Sequence, residues 1–297
     1  MNGILLVDKP AGMTSHDVVD RIRKAAKMRR VGHTGTLDPA ATGLLILCLG
    51  NATRLSEFLT GLDKVYEGTM RFGVVTDSYD FDGKVIEERP VPPLTVEQIQ
   101  RAFDAFKGEI LQLPPMVSAV KVGGERLYKL ARKGETVERE PRKVTVKEFA
   151  LRSYAEPDAA FRVRCTRGTY ARTLCYDVGE KLGCGGTLAS LRRTAVGKHT
   201  IERAKPVDAF QSPEDVANAL LPSSDALDLP SVCVRTASRN TVESGGALER
   251  RDLRDDFPAS AGWVQIKAES GELLALGEVQ SNFGVLRIQP KRVLSAR

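Results

Sequence analysis

The order of the apolar segments constrains this chain most. Ile4–Val7, Leu44–Leu49, Val65–Val75, Val117–Val122, Val144–Leu151 and Phe161–Cys165 are short apolar or alternating runs that read as strands. Between them stand segments with helical spacing. Val18, Val19, Ile22, Ala25 and Ala26 mark a helix over Ser15–Met28, and Thr95 with Gln98 caps a second through Ile99, Ala102, Phe103 and Phe106. A third is expected over Arg126–Lys133, stopped by Gly134, and a fourth over Tyr170–Leu182 through Leu174, Cys175 and Val178. The two kinds of segment do not alternate as βαβ units would. The spacing therefore predicts an α+β fold, with a mixed, largely antiparallel sheet flanked by helices.

With 297 residues the chain exceeds a typical single compact domain. Pro and Ser interrupt the periodicity at Leu221–Asp225 and again at Leu229–Pro230, so the boundary is placed there. Residues 1–225 form the larger domain. Residues 226–297 read as a small, mainly β module: strands Trp263–Lys267, Leu273–Val279 and Val285–Ile288, a Ser270-Gly271 hairpin turn, a short helix near Arg239–Ser244 and a basic tail at Lys291, Arg292 and Arg297.

The formal net charge is +6 with a pI near 9.1, a balance that favours an anionic partner. Arg21, Arg23, Lys24, Lys27, Arg29 and Arg30 crowd one face of the first helix, either as a solvated face or as a phosphate-tracking surface. The five cysteines, Cys48, Cys165, Cys175, Cys184 and Cys233, are odd in number and lack a C-x-x-C pair, so they read as reduced thiols and suggest no metal site. Met1 runs straight into a strand-like segment, and no apolar stretch is long enough to cross a bilayer. A cytoplasmic address is expected.

The stretch from Gly32 to Leu45 is the most informative. Gly32, Gly35, Gly43 and Pro39 flank a single carboxylate, Asp38, between a glycine-rich turn and an apolar strand. That pattern fits a side chain presented rigidly at a sheet edge, and it equally fits an Asp-Pro turn that opens a strand.

This stretch resembles the catalytic motif of the TruB family, the bacterial tRNA pseudouridine-55 synthases. Asp8–Ser15, Lys64-Val65-Tyr66, Thr76–Asp80 with Gly83, Pro114–Ala119, Gly168–Thr173 and Leu191-Arg192-Arg193 resemble further family segments in family order. Val117 departs from the aromatic residue common at its position. The resemblance implies a pseudouridine synthase fold with a PUA-like RNA-binding module at the C-terminus. It also implies a cofactor-free, metal-free isomerase, acting as a monomer on the T-arm of tRNA.

By the same resemblance Asp38 is the catalytic carboxylate, and Arg172 is its ion-pair partner, expected through two parallel N–H to O contacts. Tyr66 stacks on the flipped uracil and is a candidate to receive the C5 proton. Tyr170 and Leu191 match substrate-contacting positions, and His33 matches a histidine that fills the space left by the flipped base. Each of these reads as an ordinary core, turn or surface residue on pattern alone. Three rival functions remain: a non-catalytic RNA-binding protein on the same scaffold, a synthase for another RNA, and a carboxylate glycosidase. Intact Asp38, Tyr66 and Arg172 speak against the first, and the absence of a recognisable acid partner for Asp38 against the last.

Overall fold

A computed structural model describes residues 1–118, 121–122, 124–127, 130, 137–256, 262–282 and 285–294. The N-terminal strands are β1 (Gly3–Lys9), β2 (Val31–His33), β3 (Thr42–Leu49), β4 (Lys64–Phe72), β5 (Val74–Thr76), β6 (Val85–Glu88) and β7 (Gly108–Gln112). They are followed by β8 (Lys121–Val122), β9 (Glu125–Arg126), β10 (Arg142–Ala155), β11 (Asp158–Cys165), β12 (Gly186–Val196), β13 (His199–Thr200) and β14 (Lys205–Pro206). Among the described residues one sheet runs β14-β1-β3-β12-β4-β11-β10-β7, with β2 paired to β3 and β13 to β12. Only β1 with β14 and β3 with β12 pair parallel in it, so the sheet is mixed and largely antiparallel, as expected.

The continuous apolar runs of β1 and β3 follow from burial on both faces. Ile4, Leu6, Leu44, Ile46 and Cys48 pack with Ala52, Leu55 and Leu59 on one side. Leu5, Val7, Leu45 and Leu47 meet Val18, Val19 and Ile22 of helix Ser15–Ala26 on the other. Each such aliphatic side chain, fully buried, contributes about 1.5–3 kcal/mol. That helix begins with a Thr14–Asp17 capping box and ends where Lys27 turns left-handed at φ 51°. In the other half of the sheet, Phe149 stacks on Phe103 at 4.0 Å and meets Phe161 edge-on at 5.7 Å. These rings lie in one cluster with Leu174, Cys175 and Val178, which seats helix Ala171–Leu182 on the sheet.

Four expectations change. The run Val65–Val75 breaks at Gly73, whose φ of 87° turns the chain out of β4 into the β5–β6 hairpin. Among the described residues of Val117–Val122, Lys121–Val122 is a strand while Val117 and Ser118 are not, and the Val117 carbonyl accepts from the Arg172 guanidinium. Most of the helix expected over Arg126–Lys133 lies outside the described residues, and Arg126 itself pairs with Lys121 as a strand. The fourth change is a gain. Gly186–Val196 is a central strand that periodicity did not reveal, because bulges at Leu188/Ser190 and Arg193/Ala195 shift which residues share a face.

The C-terminal strands β15 (Ser231–Cys233), β16 (Trp263–Lys267), β17 (Leu273–Asn282) and β18 (Val285–Val293) form a second sheet in chain order. Its own core gathers Val232, Val234, Val242, Leu248, Val264, Ile266 and Ile288. Leu273, Leu276 and Leu294 belong instead to the cluster of Ile4 and Leu55, and Trp263 meets Phe58 edge-on at 4.6 Å. The two sheets therefore share apolar surface.

Gly43 lies where β3 pairs with β12, opposite Arg193. It lies at φ 101°, and a Cβ there would stand 2.3 Å from the Arg193 carbonyl oxygen. Gly43→Ala is expected to cost about 2 kcal/mol or more, since neither the backbone angle nor the space admits a methyl group. Thermal melting checks this, and an unchanged Tm would show that the two strands can separate freely.

Candidate active site

The loop from Gly35 to Ala41 joins β2 to β3, and buried groups hold it at nearly every residue. The Ser15 hydroxyl accepts the Leu37 N–H at 2.8 Å. Lys9, fully buried, donates from Nζ to the carbonyls of Pro10 at 2.8 Å, Met13 at 2.6 Å and Pro39 at 3.0 Å. Arg193, also buried, donates to the Leu44 carbonyl at 2.7 Å and the Gly35 carbonyl at 3.0 Å. Asp38 closes a turn on Ala41, whose N–H reaches its carbonyl at 3.1 Å. The result is a carboxylate on a backbone that cannot drift, which is what a reacting group needs.

Arg172 comes to this loop from the first turn of helix Ala171–Leu182, with its side chain only 4% exposed. Nη1 lies 3.0 Å from Asp80 Oδ2 and donates to the Ser78 carbonyl at 3.4 Å. Nη2 donates to the Val117 carbonyl at 2.5 Å and stands 3.4 Å from Asp38 Oδ2. The pairing with Asp38 is thus a single, longer contact, where a two-pronged fork was expected. The reason is competition: a second carboxylate and two carbonyls claim the same guanidinium.

The Asp38 side chain is 48% exposed and opens into a pocket of about 270 Å³. Tyr66, Tyr170, Arg172, Leu188, Leu191 and Arg193 contribute to its walls. Burial by the surrounding protein pushes the Asp38 carboxyl above the usual carboxylate value; Arg172 opposes this, while Asp80 and Asp82 add to it. Burial likewise raises the Tyr66 phenol, against the pull of the adjacent Arg193, so Tyr66 presents a neutral ring and hydroxyl. Lys9 and Lys64 are both lowered to about 8, first by burial and then, for Lys9, with Asp38 raising and Arg193 lowering it.

Five of the six residues singled out in the sequence, Asp38, Tyr66, Tyr170, Arg172 and Leu191, meet in this pocket. His33 does not. It sits on β2 outside the wall, with Nδ1 3.4 Å from the Gly35 N–H, and burial lowers its pKa. Sequence reading missed Asp80, Arg193, Lys9 and Ser118 as parts of the site. All four lay within segments already noted, but polar and charged residues in such runs ordinarily face solvent, and nothing in their spacing marks them as buried.

The description "TruB family pseudouridylate synthase (N terminal domain)" matches residues 23–171, and "tRNA pseudouridylate synthase B C-terminal domain" matches residues 172–227. The chain belongs to the TruB family. It is accordingly a pseudouridine synthase, an isomerase. The tRNA pseudouridine synthase B of Opitutus terrae is 54% identical over 212 residues, which cover 71% of this chain and 88% of that protein. The enzyme of the same name from Thermotoga maritima is 42% identical over 304 residues, covering 100% of this chain and 97% of its own. Among solved structures, the Cbf5-Nop10-Gar1 complex contains a similar chain with a TM-score of 0.75 at 26% identity, covering 99% of this chain and 85% of that one. Among the described residues of this TruB-family chain, no group of His, Cys, Asp and Glu is suited to a metal ion, and no helix is long and apolar enough to cross a membrane.

Two substitutions should move the acid limb of the pH–rate profile in opposite directions. Arg172→Met removes the charge that holds the Asp38 carboxyl down, so the limb moves to higher pH and the plateau falls by about 10²-fold. Asp80→Asn removes a neighbouring negative charge, so the limb moves to lower pH. Single-turnover rates measured from the usual carboxylate range upward in pH check both, on the proposal that Asp38 acts as its anion. Shifts in the same direction would contradict the shared-guanidinium geometry.

Proposed function

We propose that this chain isomerises the uridine of the tRNA T-loop, at position 55, with Asp38 as the catalytic carboxylate. One observation carries the reading. A half-exposed carboxylate, steadied by a buried arginine, shares a pocket of about 270 Å³ with the Tyr66 ring. That volume lies near the lower end for small-molecule sites, roughly 300 Å³ upward, and suits one flipped base. The choice of tRNA rests on the names of the family model and the curated relatives, and that of the T-loop on the family resemblance alone.

In the reaction the C1′–N1 bond breaks, the uracil turns, and C5 joins C1′; C5 loses a proton and N1 gains one. Atoms and electrons balance within the nucleoside, so no cofactor is invoked. Attack on C1′ and removal of the C2′ proton both begin from the Asp38 anion. Arg172 maintains that anion against the cost of burial. Tyr66 offers a stacking face, and its neutral hydroxyl lies close enough to Arg193 for the guanidinium to influence its proton. Tyr170 and Leu191 bound the turned base. His33, outside the pocket, is assigned to the RNA side, where the flipped nucleotide leaves a gap. The enzyme is proposed to act as a single copy in the cytoplasm.

RNA is held by phosphate contacts away from the chemistry. On helix Ser15–Ala26 and the turn after it, Arg21 is tied to Asp208 and Arg23 to Asp20. Lys24, Lys27 and Arg29 are exposed and make no ion pair among the described residues. The module after Asp225, read as PUA-like, is assigned a supporting role on the same RNA. Its apolar contacts with Ile4 and Leu55 mean that removing it would uncover core surface, so charge substitutions test RNA binding more cleanly than truncation.

Asp38→Asn should bind tRNA with near-normal affinity and lose about 10³-fold or more in single-turnover rate. Tritium release from tRNA labelled at uridine C5 reads this directly, and substantial release by the variant would remove Asp38 from the chemistry. Replacing Lys24, Lys27 and Arg29 with glutamine should flatten the dependence of log affinity on log salt by roughly 0.7–0.9 for each phosphate that the variant no longer neutralises. An unchanged slope would mean that this face stays in solvent in the complex.

A further inference from the structure

The ion pair between Arg172 and Asp80 joins two elements: helix Ala171–Leu182 and the turn that runs from Thr76 to Gly83. A second contact joins the same two elements. Tyr79 of the turn stacks on Tyr176 of the helix, with ring centroids 4.2 Å apart and planes within 22°. Tyr176 lies one helical turn after Arg172, and Tyr79 is the residue between Ser78 and Asp80, both of which bind the Arg172 guanidinium.

The backbone of Tyr79 makes the arrangement conspicuous. Its φ is 65°, a conformation that L residues other than Gly, Asn and Asp rarely adopt. A glycine would reach it without strain. The turn is otherwise well tied: the Thr76 hydroxyl donates to the Asp80 carbonyl at 2.7 Å, and the Ser78 hydroxyl to Asp80 Oδ1 at 2.5 Å. The Tyr79 carbonyl also accepts the Leu188 N–H at 3.0 Å, on the strand whose Leu188 side chain lines the pocket. Those bonds shape the turn internally and against β12. None of them sets its distance from the helix that carries Arg172.

We infer that the Tyr79–Tyr176 pair is a positioning clamp for the active site. By holding the turn against the helix, it fixes Asp80 on Nη1 of Arg172 and so leaves Nη2 for Asp38. An offset aromatic pair is attractive beyond the area it buries, and two broad rings resist sliding more than a single ion pair does. The strained φ of Tyr79 is the local cost of directing its ring at Tyr176 while its neighbours face Arg172. Both rings are half-buried, so the pair is not a core element whose loss would collapse the sheet. The inference rests on the proposed reading in which Asp38 and Arg172 carry the chemistry.

The test uses the full-length protein and tRNA, with single-turnover rate at saturating enzyme and binding affinity measured separately, and folding checked by thermal melting. Tyr176→Ala, Tyr176→Leu and Tyr79→Gly should each lose about 10-fold in rate with affinity unchanged, because a small misplacement of a charged partner costs rate rather than binding. Tyr176→Leu keeps apolar volume without the ring, and Tyr79→Gly keeps the turn without strain. Tyr176→Phe and Tyr79→Phe should restore the rate. In an Asp80→Asn background the alanine substitution should add nothing, since the clamp acts through Asp80.

Wild-type rates in folded Tyr176→Leu and Tyr79→Gly would overturn the inference, as would full additivity with Asp80→Asn. Weakened affinity at an unchanged rate would also overturn it, and would make the rings a stacking platform for RNA bases. An active Asp38→Asn enzyme would instead remove the reading beneath it. An inactive Asp38→Asn beside a normal Tyr176→Leu refutes the clamp alone.

Discussion

One buried guanidinium organises this site. Arg172 stands within ion-pair distance of two carboxylates and donates to the carbonyls of Ser78 and Val117, with its side chain almost wholly removed from water. A buried charge is expensive unless its donors are used, and its five N–H groups allow several segments to converge on one point. The inequality between its two carboxylates matters most. Asp80, 15% exposed and 3.0 Å away, satisfies the charge, while Asp38, more exposed and 3.4 Å away, is steadied without being consumed. A carboxylate locked in a short fork would be a poorer base and nucleophile. The looser contact favours the Asp38 anion and leaves its side chain open to the pocket.

Two other buried cations hold the Asp38 loop, and neither has a carboxylate partner within ion-pair distance among the described residues. Lys9 and Arg193 spend their N–H groups on backbone carbonyls of the loop that bears Asp38 and of its flanks. Fixing a loop through its carbonyls leaves the carboxylate free, and it concentrates positive potential beside the Asp38 pocket. The lowered Lys9 ammonium reflects this crowding: burial and the neighbouring Arg193 outweigh the help of Asp38. The same two side chains connect β1 and β12 to the Asp38 loop, so the order of strands in the sheet and the placement of the reactive group are one constraint.

The second sheet is joined to the first through the cluster that contains Ile4, Leu55, Leu273, Leu276 and Leu294, with Phe58 against Trp263. Apolar contact of this kind transmits orientation without directional bonds. It sets the C-terminal strands against the same strand, β1, that ends at Lys9. Whatever RNA surface the C-terminal module offers is thereby referred to the catalytic loop by packing, which suits a division of labour between holding phosphates and breaking a glycosidic bond.

The sequence by itself determined the class of fold, and its resemblance to the TruB family pointed to Asp38 as the candidate carboxylate. Period-two runs and capped helical segments carry their own local physics, so the first helix, the Thr95 cap and strands β1, β3, β10 and β11 were legible. The Gly35–Gly43 stretch drew notice because glycine and proline release or restrict the backbone wherever they stand, but an Asp-Pro turn fits that pattern too, and the family resemblance is what singled out Asp38. Strand β12 was not legible, since its bulges break the alternation that reveals a strand. Nor was the sharing of Arg172 between Asp38 and Asp80, which are 42 residues apart in the chain. Which charges are buried, and which of them meet, depends on how sheet and helix pack. Only the tertiary structure decides that, because burial and distance, rather than residue type, set the strength of an ion pair.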